Sequence, residues 1–335
     1  MRLYYYDILT TDKHKYYDEI VKGLRYKSEI IVLKGLTDKD ILNECINAVK
    51  FDMPEFFYVN FHYYIYKCHN DYIEYKPEYL YSYSEIENKK RMLEEKAAKI
   101  INSMPKNRNL SIYEKCLWLH NYLARNCVYN QDAIKENADI KSAYCVEGVL
   151  LEETAVCQGI AMAYRYLCEK IDIEAIVAIG YSLKPGNKKY ERHAWNIVRV
   201  GNNAIHVDVT WDMCLTDEDG PVRYDYFFLP DIEMLRDHQY VKYPICRNRE
   251  INYFSKKNRW FNSEEELFQF IKNEDKFIIK QDFFFYFKLR NRKISKEELV
   301  TLIGKLLMNK KNKGYSCTYF VNDTQSVFLF HYCFK

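Results

Sequence analysis

The chain has 335 residues, of which 48% are hydrophobic and 29% are charged. This length exceeds one ordinary hydrophobic core, so two or three domains are expected. Lysine and arginine number 50 against 47 aspartates and glutamates, and this near balance gives no electrostatic reason to expect nucleic acid or a membrane as partner.

The first third of the chain is predicted to be a small α+β unit. The expected order is strand, helix, strand, strand, with the strands at residues 28–33, 56–66 and 71–79 and the helix between Thr37 and Pro54. A polar helix over 85–101 is expected to be an exposed strut. The segment 105–109, which contains proline and asparagine, is expected to be a domain boundary.

A helix in the middle third carries a histidine on its inner face. Ser111 and Glu114 form a capping box that starts this helix, and the helix is expected to reach Asn126. On such a face His120 is more often a hydrogen-bonded core residue than a catalytic one. A buried structural histidine is therefore expected here.

A second helix is predicted to begin at Cys157, since the apolar residues after it recur every three or four positions. At a helix N-terminus, unpaired N–H groups and the macrodipole favour a thiolate and offer donors to an oxyanion. Gly159 would let another chain or a substrate approach the first turn. The alternative is that Cys157 is one more buried apolar cysteine.

A β-hairpin is predicted around Gly201-Asn202, because β-rich runs lie on both sides of this dipeptide. If both strands continue, Asp208 lies opposite Trp195 and Thr210 lies opposite His193. His193 and Asp208 would then be diagonal neighbours on one face, about 5–8 Å apart. A carboxylate can reach an imidazole over that distance.

Two other residues near the hairpin are of types that could belong to the site. His206 shares the face of His193 and lies deeper in the hairpin, so it is expected to be a buried structural histidine. Asp212 lies beyond the strand and is the reserve candidate for the acid. The segment 212–237 is expected to be irregular.

The last third repeats the order strand, helix, strand, strand. Strands are predicted at 277–280, 283–289, 315–321 and 326–334, and helices from Ser263 and over 295–309. The similar length of the two flanking units indicates a duplicated accessory module, which can scaffold the core or bind a partner protein. Chance is the alternative because this order is common. The acidic run 217–219 lacks the spacing of an EF-hand and is expected to be a solvated loop.

The cysteines and the N-terminus bear on the cellular compartment. Eleven cysteines are an odd number, and none forms a Cys-x-x-Cys pair, so free thiols in a reducing compartment are expected and zinc is not. No apolar run resembles a signal peptide or a membrane span of about 18 residues. The sequence as given predicts a cytoplasmic protein without metal or cofactor, although a leader removed beforehand would leave the same sequence.

Three separated motifs resemble the transglutaminase-like superfamily, whose members share the core of papain-like cysteine proteases. They are Val-Cys-Gln-Gly-Ile-Ala at 156–161, His-Ala-Trp at 193–195 and Asp-Val-Thr at 208–210. The resemblance covers about residues 111–211 and is to bacterial members. It implies an α+β fold in which the helix bearing the cysteine packs on an antiparallel sheet. Two small β-α-β-β units would flank this core, giving an N-terminal accessory domain, a catalytic core and a C-terminal accessory domain at 1–104, 105–245 and 246–335.

The resemblance also implies roles for single residues. Cys157 would be the nucleophile, His193 the general base and Asp208 the acid that orients the base. Four further residues are candidates to hold the oxyanion or wall the site, namely Tyr144, Gln158, Trp195 and Trp211. Ordinary packing is the alternative explanation for the aromatic residues among them.

These roles imply cysteine-dependent chemistry on amide bonds of protein or peptide substrates, through a thioester. Hydrolysis by a peptidase or amidase is favoured, because nothing in the sequence marks an amine-binding tunnel or a calcium switch. Cross-linking or deamidation by a transglutaminase uses the same triad and stays open. The alternative of another class is a catalytically silent binding or structural protein with this fold.

Overall fold

The computed structural model describes residues 3–105, 109–135, 139–183, 189–215, 220–240, 243–273, 283–308 and 315–334. Its helices are α1 Tyr4–Ile8, α2 Thr11–Arg25, α3 Lys39–Asp52, α4 Tyr83–Asn102, α5 Ile112–Asn126, α6 Val146–Leu150, α7 Cys157–Glu169, α8 Val209–Leu215, α9 Asp231–Met234, α10 Tyr253–Lys256, α11 Glu264–Asn273 and α12 Lys296–Met308. Its strands are β1 Ile31–Lys34, β2 Val59–Cys68, β3 Tyr72–Tyr79, β4 Val128–Tyr129, β5 Thr154–Ala155, β6 Ala175–Ser182, β7 Glu191–Val200, β8 Asn203–Val207, β9 Phe227–Leu229, β10 His238–Gln239, β11 Trp260–Phe261, β12 Phe283–Leu289, β13 Tyr315–Asn322 and β14 Val327–Phe334. The α+β fold class is confirmed.

The N-terminal unit is an antiparallel sheet in the order β1-β3-β2. The predicted order of strand, helix, strand, strand is confirmed in β1, α3, β2 and β3, and α1 and α2 precede these elements in addition to the prediction. The expectation that the helix over 85–101 is an exposed strut is wrong. Four apolar side chains of α4 are buried, Ile86, Leu93, Ala97 and Ile100.

The central sheet is antiparallel, in the order β10-β6-β7-β8-β9, and α7 packs against β6 and β7. Ala161 and Met162 of α7 lie in one apolar cluster with Val177 of β6 and Ala194 of β7. This packing places the start of α7 over the strand that carries His193. The predicted arrangement of a cysteine-bearing helix on an antiparallel sheet is therefore present.

The register of the β7–β8 hairpin agrees with the prediction near the turn and departs from it further along. Val200 pairs with Asn203 as expected, but the ladder ends at the pair of Asn196 and Val207. The expected pairing of Thr210 with His193 is wrong, because the chain enters α8 after Val207.

Asp208 explains why the strand ends there. Its carboxylate oxygen Oδ1 accepts the backbone N–H of Trp211 at 3.0 Å, which is the bond of an N-cap aspartate to the third residue of a helix. This bond starts α8. It also holds the Asp208 side chain at the end of the sheet.

The C-terminal sheet has the order β11-β12-β14-β13. Apart from the added edge strand β11, it repeats the N-terminal unit, because in both sheets the third strand of the unit lies between the first two and pairs antiparallel with them. The two flanking units therefore share one topology. The strand predicted over 277–280 and the acidic run 217–219 lie outside the described residues.

Apolar packing joins the N-terminal unit to the central fold and leaves the C-terminal unit with a cluster of its own. One buried cluster joins the N-terminal unit to the central fold and includes Leu24, Val49, Ile100, Leu119 and Leu167. A separate cluster fills the C-terminal unit and includes Phe287, Leu299 and Phe330. The boundary near residue 104 stays a prediction. None of the described helices is long and apolar enough to cross a membrane.

We expect Gly180→Ala to destabilise the central sheet. A Cβ at Gly180 would overlap the carbonyl oxygen of Gln239 and lie 2.7 Å from Cη2 of Trp195. Overpacking of this kind costs about 1–3 kcal/mol, which denaturant unfolding would detect. Gly304→Ala is the matched control, since a Cβ at Gly304 of α12 meets nothing within 4 Å, and alanine in a helix is favoured by about 1 kcal/mol. Equal free energies of unfolding for the two variants would contradict the packing described here.

Candidate active site

Cys157 is the first residue of α7, as predicted, and is partly exposed. The segment before α6 packs closely against this helix start. The Val156 N–H donates to the carbonyl oxygen of Ala143 at 3.0 Å, and a Cβ at Gly159 would overlap that same oxygen. Gly159 thus allows the close approach that the sequence predicts, and the neighbouring chain is the 3-10 turn at Lys141–Tyr144.

The three residues implied as a triad lie together. The ring of His193 lies close enough to the Cys157 thiol to lower the pKa of that thiol. Nε2 of His193 lies 2.6 Å from Oδ2 of Asp208, which leaves Nδ1 to face the sulfur. His193 belongs to β7, and Asp208 follows the last residue of β8. The hairpin and the start of α7 therefore assemble a chain of sulfur, imidazole and carboxylate.

The electrostatics of this chain favour the charged forms of all three groups. Burial raises the pKa of the Asp208 carboxyl, but the charge and hydrogen bond of His193 outweigh burial and hold this pKa well below its usual range. Burial lowers the pKa of His193, but Asp208 outweighs burial and raises this pKa to about 10.

Burial and the neighbouring charges also act in opposite directions on the pKa of the Cys157 thiol. Burial raises the pKa of the Cys157 thiol, but the hydrogen bond to His193, that ring's charge and the N–H of Ala194 together bring the pKa below its ordinary value. Helix N-termini and cationic imidazoles lower thiol pKa values in general. The arrangement can therefore hold a thiolate next to an imidazolium near neutral pH.

A second histidine on Asp208 is absent from the sequence prediction. Nε2 of His238 lies 3.2 Å from the same Asp208 oxygen that meets His193, and its Nδ1 lies 2.7 Å from Oδ1 of Asp237. The other oxygen of Asp237 accepts the hydroxyl of Tyr226 at 2.7 Å and Nε2 of Gln325 at 2.9 Å. These buried groups connect Asp208 to the turn between β13 and β14.

Local sequence offers only a weak signal for His238. The signal is the dipeptide Asp237-His238 at the end of a segment expected to be irregular. That segment contains α8, β9 and α9 instead, and β10 reaches the site by pairing its His238 with Ser182 of β6. Pairing over that sequence separation has no local pattern that predicts it.

Trp195 and Trp211 form two walls around the imidazole. The Trp195 ring stacks on His193 with centroids 5.8 Å apart at 17°, and Trp211 meets it edge-on at 6.1 Å. His193 is only 7% exposed as a result. Both tryptophans therefore lie where the sequence predicts them and keep water from the ring.

The two oxyanion candidates are close to the cysteine but already have partners. The hydroxyl of Tyr144 donates to the carbonyl oxygen of Ala133 at 2.9 Å, and the Gln158 side-chain amide donates to the carbonyl oxygen of Tyr144 at 2.8 Å. A phenol has one proton, so Tyr144 would have to leave Ala133 to bind an oxyanion. These bonds fix the loop against the start of α7.

The reserve acid Asp212 belongs to a different pair. Its Oδ2 lies 2.9 Å from Nε2 of His120, and both side chains are fully buried. Burial lowers the pKa of His120 to about 4, and burial with the nearby Asp225 raises the pKa of Asp212 well above its usual range. The pair is thus an uncharged hydrogen bond in the core. Asp212 as the triad acid is wrong, and His120 as a core histidine is confirmed.

His206 is also a buried structural histidine, as predicted. Its Nδ1 accepts the indole N–H of Trp195 at 3.0 Å, and its Nε2 lies 2.9 Å from Oδ1 of Asp231. Because Nδ1 is an acceptor, the ring proton is on Nε2 and is donated to Asp231. Burial lowers the pKa of His206, which keeps the ring neutral.

Two groups of metal-binding residue types lie close together in the described chain. They are His193 with Asp208 and His238, and His206 with Asp231 and Cys246. Hydrogen bonds account for the closeness of the histidines and aspartates in both groups. In the second group, Nε2 of His206 carries the proton and is a donor, so it does not offer a lone pair to a metal ion.

A cleft of about 420 Å³ lies beside the start of α7, within the range of about 300–1,000 Å³ typical of ligand sites. The N-terminal unit forms one wall of this cleft, and the segment before α6 forms the other. The lining residues are Asn60, His62, Tyr63, Glu78, Asp139, Ile140, Lys141 and Tyr144. Tyr144 brings the inner end of the cleft near Cys157, because the two groups interact electrostatically.

The part of the chain that contains Cys157, His193 and Asp208 resembles known proteins. Residues 94–209 match the family model of the transglutaminase-like superfamily, and the match contains Cys157, His193 and Asp208. This stretch of the chain therefore resembles the transglutaminase-like superfamily. The resemblance read from the three motifs is thus confirmed.

Solved structures similar to the chain match only in part. One is described as a TGase, with 15% identity over 44% of this chain and 44% of that chain at a TM-score of 0.32. Another, from Cytophaga hutchinsonii, has the provisional description of cysteine protease, with 21% identity over 35% of this chain and 37% of that chain at a TM-score of 0.28. Each match therefore spans less than half of the solved chain. A search of curated proteins gives no match to this chain.

Proposed function

We propose that the transglutaminase-like core is a cysteine-dependent enzyme that hydrolyses amide bonds of protein or peptide substrates. The observation that carries this proposal is that His193, hydrogen-bonded to Asp208, also acts on the thiol of Cys157 at the start of α7. The depressed pKa of the thiol and the raised pKa of the imidazole supply the two charged forms that such chemistry needs.

In the proposed reaction the Cys157 thiolate attacks the carbonyl carbon of an amide. The carbonyl oxygen takes up the electron pair and lies near the first turn of α7, where backbone N–H groups and the helix dipole stabilise negative charge. The protonated His193 gives its proton to the leaving amine, and a thioester remains on the sulfur. Water then attacks the thioester with His193 as base, and the acid product and free thiolate are released.

Asp208 is proposed to orient His193 rather than to exchange protons with substrate. Its two oxygens are fixed by Trp211 on one side and by two histidines on the other. A carboxylate held in this way keeps Nδ1 of His193 aimed at the sulfur and stabilises the imidazolium. The cleft between the N-terminal unit and the segment before α6 would hold the substrate chain.

We expect iodoacetamide at pH 6 to label Cys157 stoichiometrically and faster than the exposed Cys68. An ordinary thiol with a pKa of about 8.5 is less than about 1% thiolate at that pH, whereas the Cys157 pKa is lowered by His193. Peptide mass spectrometry measures both residues in one sample, so Cys68 is an internal control. His193→Ala should bring the Cys157 rate down to that of an ordinary thiol. Equal rates in the wild-type protein, or no change in the variant, would contradict the proposed ion pair.

Hydrolysis and acyl transfer are separated by a second measurement. A digest of denatured protein is incubated with the enzyme, with and without a primary amine, and the peptides are then analysed by mass spectrometry. Hydrolysis adds one water and does not depend on the amine. An amine adduct on glutamine would instead identify a transglutaminase, and unchanged peptides with an unreactive Cys157 would identify a silent member of the superfamily.

A further inference from the structure

Lys50 is a buried cation in a pocket whose wall includes Gln158, the residue after Cys157. It lies in the last turn of α3 and is 8% exposed. Among the described residues, the Lys50 ammonium has no hydrogen-bond or carboxylate partner, and its Nζ lies 5.1 Å from the ring centroid of Phe51. Burial of an unpaired ammonium is costly, so such groups are usually paired or serve a ligand.

The electrostatic surroundings of Lys50 increase this cost. Burial and the positive charge of Arg192 lower the pKa of Lys50 to about 8. Arg192 directly precedes His193 in β7, and its charge is the nearby positive charge that acts on Lys50. An anion placed beside Lys50 would stabilise its charged form by the ordinary attraction of opposite charges.

Lys50 lines a narrow pocket that continues the wide cleft toward α7. The pocket has a volume of about 30 Å³, which is room for one small polar group such as a carboxylate. Gln158 and Met162 of α7 line it, and the first of these follows Cys157 directly. Asn60, His62, Lys141 and Tyr144 line both the pocket and the wide cleft.

The lysines on the wall of the pocket are not accompanied there by any carboxylate of the described chain. The described lining includes Lys50 and Lys141 and no aspartate or glutamate, and most of the other side chains are apolar. Lys141 is paired with Asp139 at 3.4 Å, so Lys50 is the cation of this wall that lacks a carboxylate partner among the described residues. The wide cleft differs, because Glu78 and Asp139 lie on its wall. A negative group is therefore better accommodated in the narrow pocket, whose wall includes Gln158 of α7.

We propose that this Lys50 pocket receives a carboxylate of the substrate, beside the bond that Cys157 attacks. The carboxylate comes from an acidic side chain or from a peptide C-terminus, because both present the same two oxygens to the ammonium. This assignment rests on the proposed function of Cys157. It makes the enzyme selective for acidic substrates and gives the N-terminal unit, which supplies Lys50, a direct role in substrate choice.

The test uses chloroacetyl peptides, on which a cysteine thiolate displaces chloride and forms a thioether. One pair, chloroacetyl-Gly-Glu amide and chloroacetyl-Gly-Gln amide, probes an acidic side chain. A second pair, chloroacetyl-Gly-Gly as free acid and as amide, probes a C-terminus. The rate constant for alkylation of Cys157 is measured for each probe by peptide mass spectrometry on the full chain.

In the wild-type protein we expect the acidic member of one pair to react about tenfold faster than its neutral partner, the size expected for a hydrogen bond to a charged group. Lys50→Met should abolish this ratio, and Lys50→Arg should retain most of it. Lys67→Met on the exposed part of β2 is the matched control and should leave the ratio unchanged. The pair that discriminates identifies the source of the carboxylate.

A second readout does not depend on reactivity. Because Lys50→Met replaces a buried unpaired ammonium by an apolar side chain of similar size, its Tm should be higher than that of the wild-type protein. Equal rates for acidic and neutral probes in the wild-type protein, or a ratio that survives Lys50→Met, would overturn the Lys50 pocket. Failure of every probe to label Cys157 would instead overturn the proposed function.

Discussion

Replacing Asp208 with asparagine is expected to lower kcat/KM for amide hydrolysis by about a thousandfold to ten-thousandfold, the scale known for the acid of such triads. The amide can still accept the Trp211 N–H that starts α8. Toward His193 and His238, however, it no longer offers a charged acceptor at the position of Oδ2. The His193 imidazole then loses the hydrogen bond that orients it and the negative charge that stabilises its protonated form.

The pH dependence of Cys157 alkylation gives a readout that needs no substrate. In the wild-type protein, the ion pair exists between the lowered pKa of Cys157 and the His193 pKa of about 10. Alkylation should therefore persist at neutral and mildly acidic pH, and fall as pH drops through the thiol pKa.

In Asp208→Asn, burial is opposed only by the weaker influence of Cys157, so the pKa of His193 falls and the imidazolium is lost at lower pH. The Cys157 pKa then rises, because the bond to His193 is a larger influence on it than the direct repulsion by Asp208. Each unit of rise lowers the thiolate fraction about tenfold at acidic pH. The rate profile should move to higher pH accordingly.

Asp212→Asn is the matched control for this experiment. Asp212 is equally buried and also bonded to a histidine, but its partner is His120 and its raised pKa keeps it uncharged. An asparagine replaces an uncharged carboxyl with little change in shape. The alkylation profile should therefore stay as in the wild-type protein. A shift in Asp212→Asn without a shift in Asp208→Asn would mean that the acid is wrongly assigned.

The residues that the sequence predicts correctly are those with a local signal. The start of α7 follows from apolar spacing after Cys157, and the β7–β8 turn follows from the Gly-Asn dipeptide. Each of these patterns places a reactive side chain near the end of a helix or strand. Because α7 packs on the sheet by its apolar face, Cys157 then lies beside His193 and Asp208.

What the sequence does not predict depends on contacts between distant segments. The switch from β8 into α8 results from a side-chain bond of Asp208 that competes with the strand ladder. The burial of α4 results from the apolar cluster that joins two units. His238 and Lys50 reach the site from β10 and α3, and neither element shows a pattern that points to Cys157.

His238 is expected to position Asp208, and its two ring nitrogens can be tested separately. In His238→Gln, the side-chain amide can take the place of Nε2 and still donate to Asp208. In His238→Asn, the shorter amide can take the place of Nδ1 and donate only to Asp237. Both variants lose one buried hydrogen bond to a carboxylate, so each should lower the free energy of unfolding by about 1–3 kcal/mol.

The two variants should differ in reactivity although they match in stability. His238→Asn frees one side of Asp208, and a misplacement of about 1 Å in a catalytic group can cost about a hundredfold. The rate of Cys157 alkylation at pH 6 should thus fall strongly in His238→Asn and little in His238→Gln. Equal losses in both variants would mean that His238 supports the fold and not the triad.

Gln325→Leu extends the test to the C-terminal unit. Gln325 lies in the turn between β13 and β14 and donates to Asp237, which holds His238. If these bonds position Asp208, Gln325→Leu should reduce the rate of Cys157 alkylation when it is made in the wild-type protein. The same substitution should have little further effect in the His238→Asn variant, because the effects of substitutions within one hydrogen-bond network are not additive. Additive losses would contradict the connection. Non-additive losses would mean that the C-terminal unit, although it has its own apolar cluster, determines how firmly the catalytic acid is held.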